Sequence, residues 1–124
     1  MTSTLDVGRR LVELCRAGKN VEAVDTLYAP NVVSTEVFGD EHMPRRMEGV
    51  DAIRRKNQWW LDNHEIHRAD VSGPYPHGSD RFAVRFSYDV TNKPSARRMQ
   101  MDEVAVFTVQ NGKIVKEEFF YDMG

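Results

Sequence analysis

The sequence contains a single cysteine, Cys15, and no long apolar run, and these two scarcities exclude several classes of protein. One cysteine cannot form an internal disulfide. No stretch approaches the ~20 consecutive apolar residues that a membrane-spanning helix needs. The N-terminus also lacks the apolar core of a secretory signal peptide. We therefore expect a cytoplasmic protein that has no membrane partner.

An excess of charge of one sign is also missing. The 17 lysines and arginines nearly balance the 19 aspartates and glutamates, which gives a net charge of −2. Basic residues occur in scattered pairs such as Arg97-Arg98 rather than in a stripe, which argues against a nucleic-acid partner. The sequence has neither a GxSxG motif nor a phosphate-binding glycine loop, so serine-nucleophile and nucleotide chemistry have no support.

The first half of the chain has helical periodicity. With 124 residues, the chain is expected to form one domain over 1–124. Ser3 and Asp6 form a capping pair before a helix that ends at Gly18, and Asn20 is expected to cap a second helix that Pro30 ends. The inner face of a third helix is then predicted from spacing, and its members are Val50, Ile53, Asn57, Trp60 and Leu61.

Strand-like segments fill the rest of the chain. One is predicted over 32–38, followed by a loop over 39–47 that could act as a lid, and four more over 65–74, 80–91, 97–109 and 113–121. Helices first and strands last indicate an α+β fold. In the strand over 80–91 one apolar face is shared by Phe82, Val84, Phe86, Tyr88 and Val90. Tyr88 therefore places a hydroxyl group on an inner wall.

The last two strands form a predicted hairpin around Gln110-Asn111-Gly112. If Gly112 occupies the left-handed position of a three-residue bulged turn, Val109 pairs with Lys113 and the odd-numbered residues of both strands share one face. That face consists of Met99, Met101, Glu103, Ala105, Phe107, Val115, Glu117, Phe119 and Tyr121. Glu117 then lies opposite Ala105 and Glu103 opposite Phe119, about 5–8 Å apart as diagonal neighbours. A tight two-residue turn would instead separate the two glutamates onto opposite faces.

Two carboxylates on an apolar face are costly unless they are paired or useful. One explanation is structural: a salt bridge to Arg97 or Arg85, or one across a subunit interface. The other is catalytic, because burial and mutual repulsion would raise the pKa of one carboxylate toward neutrality. In that hypothesis Glu117 or Glu103 is the base, the other is protonated or bonded to Tyr88, and Glu117→Gln removes turnover but not folding or binding.

Three stretches of sequence carry a resemblance to a known superfamily: DTLYAPNVV at 25–33, EGVDAI at 48–53, and NGKIV at 111–115 leading to FFYD at 119–122. With the element order, they make the chain resemble the nuclear transport factor 2-like superfamily, in particular SnoaL-like and ketosteroid-isomerase-like proteins. The resemblance implies a cone-shaped α+β barrel in which three N-terminal helices pack on a curved antiparallel sheet. It also implies a pocket between helices and sheet, and a homodimer.

Residue-by-residue transfer from that superfamily selects one further carboxylate. The steroid isomerases carry a base just after the first strand, and Glu36 occupies that place. Their oxyanion-hole tyrosine and aspartate fall near Val12 and Ala105, so their mechanism does not carry over. The catalytic residues of limonene epoxide hydrolases fall at Phe86, Tyr88 and Phe119, which excludes epoxide hydrolysis by that triad.

The remaining candidates are histidines and apolar pocket residues. His67 shares a strand parity with Ala69 and Val71, which predicts an inward direction and makes it a reserve acid–base group beside Glu36. The other histidines are His42, His64 and His77. A metal site built from His67 and two glutamates is an alternative without a supporting HExxH motif, so we expect neither metal nor cofactor. The ligand-binding candidates are Trp59, Trp60, Phe86, Met99, Met101, Phe107, Phe119 and Tyr121.

The sequence thus supports two classes of function. The first is a cofactor-independent isomerase, cyclase or dehydratase that acts on a small apolar carbonyl or polyketide-like compound. The second is a non-catalytic module that binds a ligand or a second copy of itself. Salt bridges on both glutamates would favour the second class, and open carboxylates in one apolar cavity would favour the first.

Overall fold

A computed structural model describes residues 3–41 and 43–122, so the candidate His42 lies outside the described residues. The helices are α1 (Thr4–Arg16), α2 (Asn20–Leu27) and α3 (Val50–Asn63). The strands are β1 (Tyr28–Thr35), β2 (Arg46–Glu48), β3 (His64–His77), β4 (Arg81–Asn92), β5 (Arg97–Gln110) and β6 (Lys113–Tyr121).

The strands form one mostly antiparallel sheet in the order β2-β1-β6-β5-β4-β3. Only the β1–β6 pair is parallel among the described strands. The predicted α+β class and the three helices packed on a curved sheet are confirmed. The sheet is not closed, because β2 and β3 form its two edges. No helix in the described part of the chain is long and apolar enough to cross a membrane.

The first helix forms as the sequence predicts. The Ser3 hydroxyl accepts a hydrogen bond from the Asp6 backbone at 3.1 Å, and the Asp6 carboxylate accepts one from the Ser3 backbone at 3.3 Å. Together these contacts satisfy two of the open N–H groups at the helix start. The buried face of α1 consists of Val7, Gly8, Leu11, Val12, Leu14 and Cys15.

The next boundary differs from its prediction. Lys19, not Asn20, is the N-cap of α2 and makes no side-chain cap bond, so the capping prediction for Asn20 is wrong. The helix ends at Leu27, and Tyr28 is the first residue of β1. Pro30 lies inside that strand, where pairing with β6 is irregular between Tyr28 and Val33. A proline is tolerated there because no regular ladder needs its missing N–H.

The strand predicted over 32–38 ends earlier. β1 stops at Thr35, and the Val37 and Phe38 side chains are exposed. The segment that follows is not entirely loop, since Arg46 begins the short strand β2 and pairs with Thr35.

The hairpin between β5 and β6 uses the tight turn. Asn111 and Gly112 both have positive φ, 52° and 75°, and Gln110 pairs directly with Lys113. The predicted three-residue turn and the Val109–Lys113 pair are therefore wrong. An irregularity at Val115 then adds one residue to β6, so that Thr108 pairs with Lys116. This bulge returns the odd-numbered residues of both strands to one face.

Most of that predicted inner face is confirmed, with two corrections. Ile114 rather than Val115 points into the core, where it is fully buried. The register between β5 and β6 also differs from the predicted one, since Glu117 lies opposite Phe107 and Glu103 opposite Tyr121. The glutamates are thus four residues apart along the ladder, about 13 Å at ~3.3 Å per residue. They are not diagonal neighbours.

The helices bury the concave face of the sheet. On β4 the alternating residues Phe82, Val84, Phe86, Tyr88 and Val90 are all buried, as the sequence predicts. Ile53 of α3 and Val7 of α1 are also fully buried in this core. Packing between the helices and this face also leaves a cavity.

Candidate active site

A cavity of about 750 Å³ lies between the helices and the sheet, and most of the candidate residues line it. Its acid–base candidates are Glu36, Tyr88, Glu103 and Glu117. Its walls also include the eight ligand-binding candidates Trp59, Trp60, Phe86, Met99, Met101, Phe107, Phe119 and Tyr121. Residues from every helix and from five strands therefore converge on one space.

Lys56 of α3 is the charged centre of this cavity. Its ammonium group donates to the Ser34 hydroxyl at 2.8 Å and to Oε2 of Glu36 at 3.4 Å. It lies 3.8 Å from Oε1 of Glu117 and 4.9 Å from the centre of the Phe119 ring. The side chain is 17% exposed, so this ammonium sits largely within the protein. Lys56 therefore forms ion pairs with two of the three glutamates that line the cavity.

Glu117 is the most deeply buried of these carboxylates, at 1% exposure. The Tyr28 hydroxyl donates a hydrogen bond to Oε2, whereas Oε1 has no hydrogen-bond partner in the described part of the chain. Burial, with the negative charge of Glu117 beside it, holds the pKa of Tyr28 well above its usual range. Tyr28 is therefore a proton donor that fixes the orientation of Glu117.

Glu103 has a different environment. On β5 it lies between Phe86 of β4 and Tyr121 of β6, its direct cross-strand neighbours. Within residues 3–41 and 43–122 no hydrogen bond or ion pair joins it to another side chain. Burial raises the pKa of Glu103 to about 7; the negative charge of Glu36 adds to the rise and Lys56 opposes it. A carboxyl group with that pKa can both take and return a proton near neutrality.

Glu36 follows β1 directly and has two partners. Besides Lys56, the Tyr121 hydroxyl donates to Oε1 at 3.3 Å. Burial raises the pKa of Glu36, and Lys56 opposes the rise. Burial and the charge of Glu36 raise the pKa of Tyr121 to about 12, so that phenol keeps its proton at neutral pH.

The predicted salt bridges to arginine do not form. Arg85 pairs with Asp102 at 2.7 Å on the opposite face of the sheet. No ion pair among the described residues joins Arg97 to Glu103 or Glu117. Lys56 takes part of the role that the sequence assigned to arginine.

Tyr88 does not contact the glutamates through a hydrogen bond, which corrects its predicted partnership. Its ring packs against Trp60 at 5.4 Å and Phe86 at 6.1 Å between ring centres. Burial raises its pKa, and a hydrogen bond with Asn20 opposes the rise. Trp60 also stacks on His64 at 4.5 Å. These rings form an aromatic wall beside Glu103.

His67 lies outside the cavity, so the prediction that it points inward is wrong. Its ring is exposed and contacts the Thr91 hydroxyl at 2.7 Å. The β3–β4 pairing is irregular between Ile66 and Arg68, which breaks the alternation from which the direction was predicted. His64 is the histidine that lines the cavity, and its Nδ1 contacts the Trp60 carbonyl at 2.8 Å.

Within the two described ranges, no group of three or more acidic, histidine or cysteine side chains could hold a metal ion. Cys15 lines the cavity, but burial raises the pKa of its thiol to about 12. Among the described residues, the cavity therefore offers carboxyl groups, phenols, the His64 imidazole and one ammonium group for chemistry.

Three residues of the site are not evident from the sequence: Lys56, Tyr28 and Ser34. Lys56 lies three residues after Ile53 and four before Trp60, so helical spacing alone puts it on the inner face. A lysine on such a face is usually taken as a boundary residue that extends to solvent. Tyr28 was assigned to the end of a helix, and only its place at the start of β1 brings its hydroxyl to Glu117.

The segment after β1 lines the mouth of the cavity. Phe38, Gly39, Asp40, Met43 and Pro44 belong to its wall, and Phe38 is 56% exposed. A short turn closes this segment, because the Met43 backbone donates to Oδ1 of Asp40 at 2.8 Å. That this segment acts as a lid stays a prediction.

Solved structures share this architecture. A protein of Mesorhizobium loti, provisionally assigned as a SnoaL-like polyketide cyclase and also described as a carbohydrate phosphatase, is 40% identical with a TM-score of 0.87. The match covers 94% of this chain and 97% of that one. An NTF2-like protein of unknown function from Burkholderia pseudomallei is 21% identical, with a TM-score of 0.76 and coverages of 98% and 92%.

A provisionally assigned polyketide cyclase of Pseudomonas putida is 13% identical, with a TM-score of 0.73 and coverages of 99% and 94%. At that identity the likeness shows the fold alone. A comparison with curated proteins gave no significant sequence match. The family model for the SnoaL-like domain matches residues 1–121. The chain therefore belongs to the SnoaL-like domain family.

Proposed function

We propose that this protein is a cofactor-independent acid–base enzyme that acts on a small apolar carbonyl compound in the cavity, with Glu103 as the general base. Its SnoaL-like family membership supports an enzyme of the cyclase or isomerase type. The observation that carries the proposal is the position of Glu103, a carboxyl group that lines an apolar cavity without a cation or hydrogen-bond donor bound to it.

Accessibility favours Glu103 over Glu117 as the base. A base must reach the proton that it removes. At 1% exposure, Glu117 can offer its oxygen to a substrate only after the surrounding structure moves, and its other oxygen is occupied by Tyr28. Glu36 already accepts from Lys56 and Tyr121. Both oxygens of Glu103 remain available to a substrate.

The donors in the cavity complete the reaction. Glu103 takes a proton from the carbon next to the substrate carbonyl, and negative charge develops on the carbonyl oxygen. The Lys56 ammonium or the Tyr121 hydroxyl can donate to that oxygen, and such donors stabilise the charge most where water is excluded. Return of the proton to a different carbon isomerises the substrate. Attack of the carbanion on a second carbonyl forms a carbon–carbon bond and cyclises it, and the proton on Glu103 passes to the new alkoxide. When a β-hydroxyl group leaves instead, it takes that proton and departs as water, which dehydrates the substrate.

Hydrogen–deuterium exchange tests the proton transfer without knowledge of the natural substrate. The flat apolar ketone 2-tetralone is incubated with the protein in D₂O, and NMR follows deuterium entering the carbon next to the carbonyl. We expect exchange faster than in buffer, and a loss of about 100-fold in Glu103→Gln, since a positioned base contributes roughly 10²–10⁴-fold. Glu117→Gln should lose less.

The matched control is Asp102→Asn, which removes the same charge from the adjacent residue on the opposite face of β5. It should exchange as fast as the unmodified protein, and circular dichroism should show all variants folded. Exchange by Glu103→Gln at the unmodified rate would refute the assignment of the base.

A passive binding module is the second candidate, and the environment of Glu117 favours it. That carboxylate is held by Tyr28 and lies beside Lys56, as a structural ion pair would be. This candidate predicts that ligands bind in the cavity while exchange stays at the buffer rate in every variant.

Three properties of the whole chain complete the proposal. We propose that residues 1–124 act as one domain, that the protein works in the cytoplasm, and that it forms a homodimer. The proton transfer proposed for Glu103 requires no cofactor.

A further inference from the structure

We propose that the molecule bound in this cavity carries a protonated amine, and that Glu103 binds this ammonium group between the rings of Phe86 and Tyr121. The inference rests on the proposed function in that it concerns the same cavity and adds the charge of the substrate.

The charges that line the cavity do not balance. Among the described residues, Lys56 is its only lysine or arginine, whereas Glu36, Asp40, Glu103 and Glu117 all carry carboxyl groups. An ammonium group has three N–H donors. Ser34 and Glu36 accept two of them, and Oε1 of Glu117 lies 3.8 Å from Nζ. No hydrogen bond or ion pair among the described residues joins Lys56 to Glu103.

The surroundings of Glu103 suit an organic cation. Phe86 and Tyr121 are paired with it in register on either side, so their side chains lie on the same inner face. Neighbouring side chains of this kind have Cβ atoms about 4.5–5.5 Å apart. A cation held at the carboxylate would lie within the ~6 Å over which aromatic faces attract positive charge. The Trp60 and Tyr88 rings continue this wall beyond Phe86.

Anionic and neutral ligands complement the surroundings of Glu103 less well than a cation does. An anion would add to the negative charge of these carboxyl groups. A neutral ketone can only accept hydrogen bonds, so it offers nothing to a carboxylate, which also only accepts them. A neutral alcohol donates one hydrogen bond but leaves the charge unbalanced. An ammonium group supplies both donors and charge.

Binding of an ammonium would also assist the chemistry. A positive charge beside a carboxyl group favours its ionised form. One oxygen of Glu103 can hold the ammonium while the other takes the proton. The remaining groups that act on Glu103 are the charges of Glu36, Lys56, Glu117 and Asp102, and the phenols of Tyr88 and Tyr121. The ligand would be a second cation beside Lys56.

A series of probes with one shape and three charges tests the inference. Isothermal titration calorimetry at pH 8 compares 2-phenylethylamine, 2-phenylethanol and phenylacetate, because at this pH the amine is protonated and Glu103 is mostly ionised. We expect the amine to bind at least tenfold more tightly than the alcohol, and phenylacetate most weakly. In Glu103→Gln the preference for the amine over the alcohol should fall to about twofold or less.

Asp102→Asn is again the control, since it removes the neighbouring charge from outside the cavity and should keep the preference for the amine.

Equal binding of amine and alcohol by the unmodified protein would refute the inference. An amine preference that survives Glu103→Gln, or failure of every probe to bind, would refute it as well. The outcome of this binding experiment does not depend on the outcome of the 2-tetralone exchange experiment. Exchange without amine preference would leave the proposed function intact, whereas amine preference without exchange would support the inference for a binding module.

Discussion

Among single residues, the three glutamates that line the cavity differ in their contacts with one cation, Lys56. Glu36 and Glu117 contact Lys56 and a phenol each, whereas Glu103 has neither contact. Burial raises the pKa of Glu103 to about 7, and the charge of Lys56 opposes the rise. Chemically identical side chains thus take different roles according to which donors reach them.

Replacing Lys56 tests this dependence. The ammonium lowers the pKa of both Glu36 and Glu103, so Lys56→Met should raise both values. Because Glu103 must be ionised to act as a base, the exchange rate rises with pH through its pKa. The midpoint of the pH–rate profile for 2-tetralone, expected near pH 7 in the unmodified protein, should move to higher pH in Lys56→Met. The plateau should fall about tenfold or more, since a preorganised donor to the oxyanion is lost.

Arg55→Met is the matched control, because it removes a positive charge from the adjacent, exposed residue of α3. Its profile should overlay that of the unmodified protein. A Lys56→Met profile with an unmoved midpoint would contradict the assigned role of the ammonium.

At the scale of elements, the β5–β6 hairpin shows how a local irregularity places a site. The tight Asn111-Gly112 turn alone would put Glu103 and Glu117 on opposite faces. The extra residue at Val115 reverses that outcome and leaves both carboxyl groups in the cavity. The common inner face was predictable from alternation, whereas the combination of turn and bulge was not.

The contact between α1 and the sheet also shapes the site, because α1 contributes Leu11 and Cys15 to the cavity. Gly8 lets this helix approach the sheet closely: a Cβ atom there would lie 2.8 Å from the Pro74 Cβ and 3.1 Å from the Phe82 ring. Distances this short force atoms to move in a packed region.

We therefore expect Gly8→Ala to lower the free energy of unfolding by about 1–3 kcal/mol, the usual cost of overpacking, although alanine favours a helix. Urea denaturation measures the change. Arg9→Ala, at the adjacent exposed position, should stay within about 0.5 kcal/mol. The prediction would be wrong if Gly8→Ala were more stable than the unmodified protein, because α1 and the sheet could then move apart at little cost in free energy.

At the scale of the whole molecule, the two faces of the sheet have different surroundings. The inner face carries the core and the cavity. On the outer face, Val104 and Phe120 are direct cross-strand partners, 39% and 52% exposed. Adjacent apolar side chains that are open to solvent favour contact with another protein surface. The predicted homodimer would cover them.

Analytical ultracentrifugation tests the homodimer. We expect the unmodified protein to sediment as a dimer and Phe120→Asp to sediment as a monomer, because the new carboxylate would be buried without a partner. Tyr75→Asp, at a 53% exposed aromatic residue on β3, is the control and should remain dimeric. A monomeric unmodified protein would contradict the prediction, and a dimeric Phe120→Asp would place the interface elsewhere.

Periodicity was enough to predict the α+β class, the three helices, the inner face of β4, and the aromatic and thioether side chains that line the cavity. Periodicity reflects relations between residues close in the chain. The partners of each carboxyl group depend instead on contacts between distant parts of the chain. Tyr28 meets Glu117, and Lys56 meets Glu36 and Ser34, across separations that no spacing rule covers. The tertiary structure also turned His67 outward, because one irregular residue in a strand reverses the direction of a side chain.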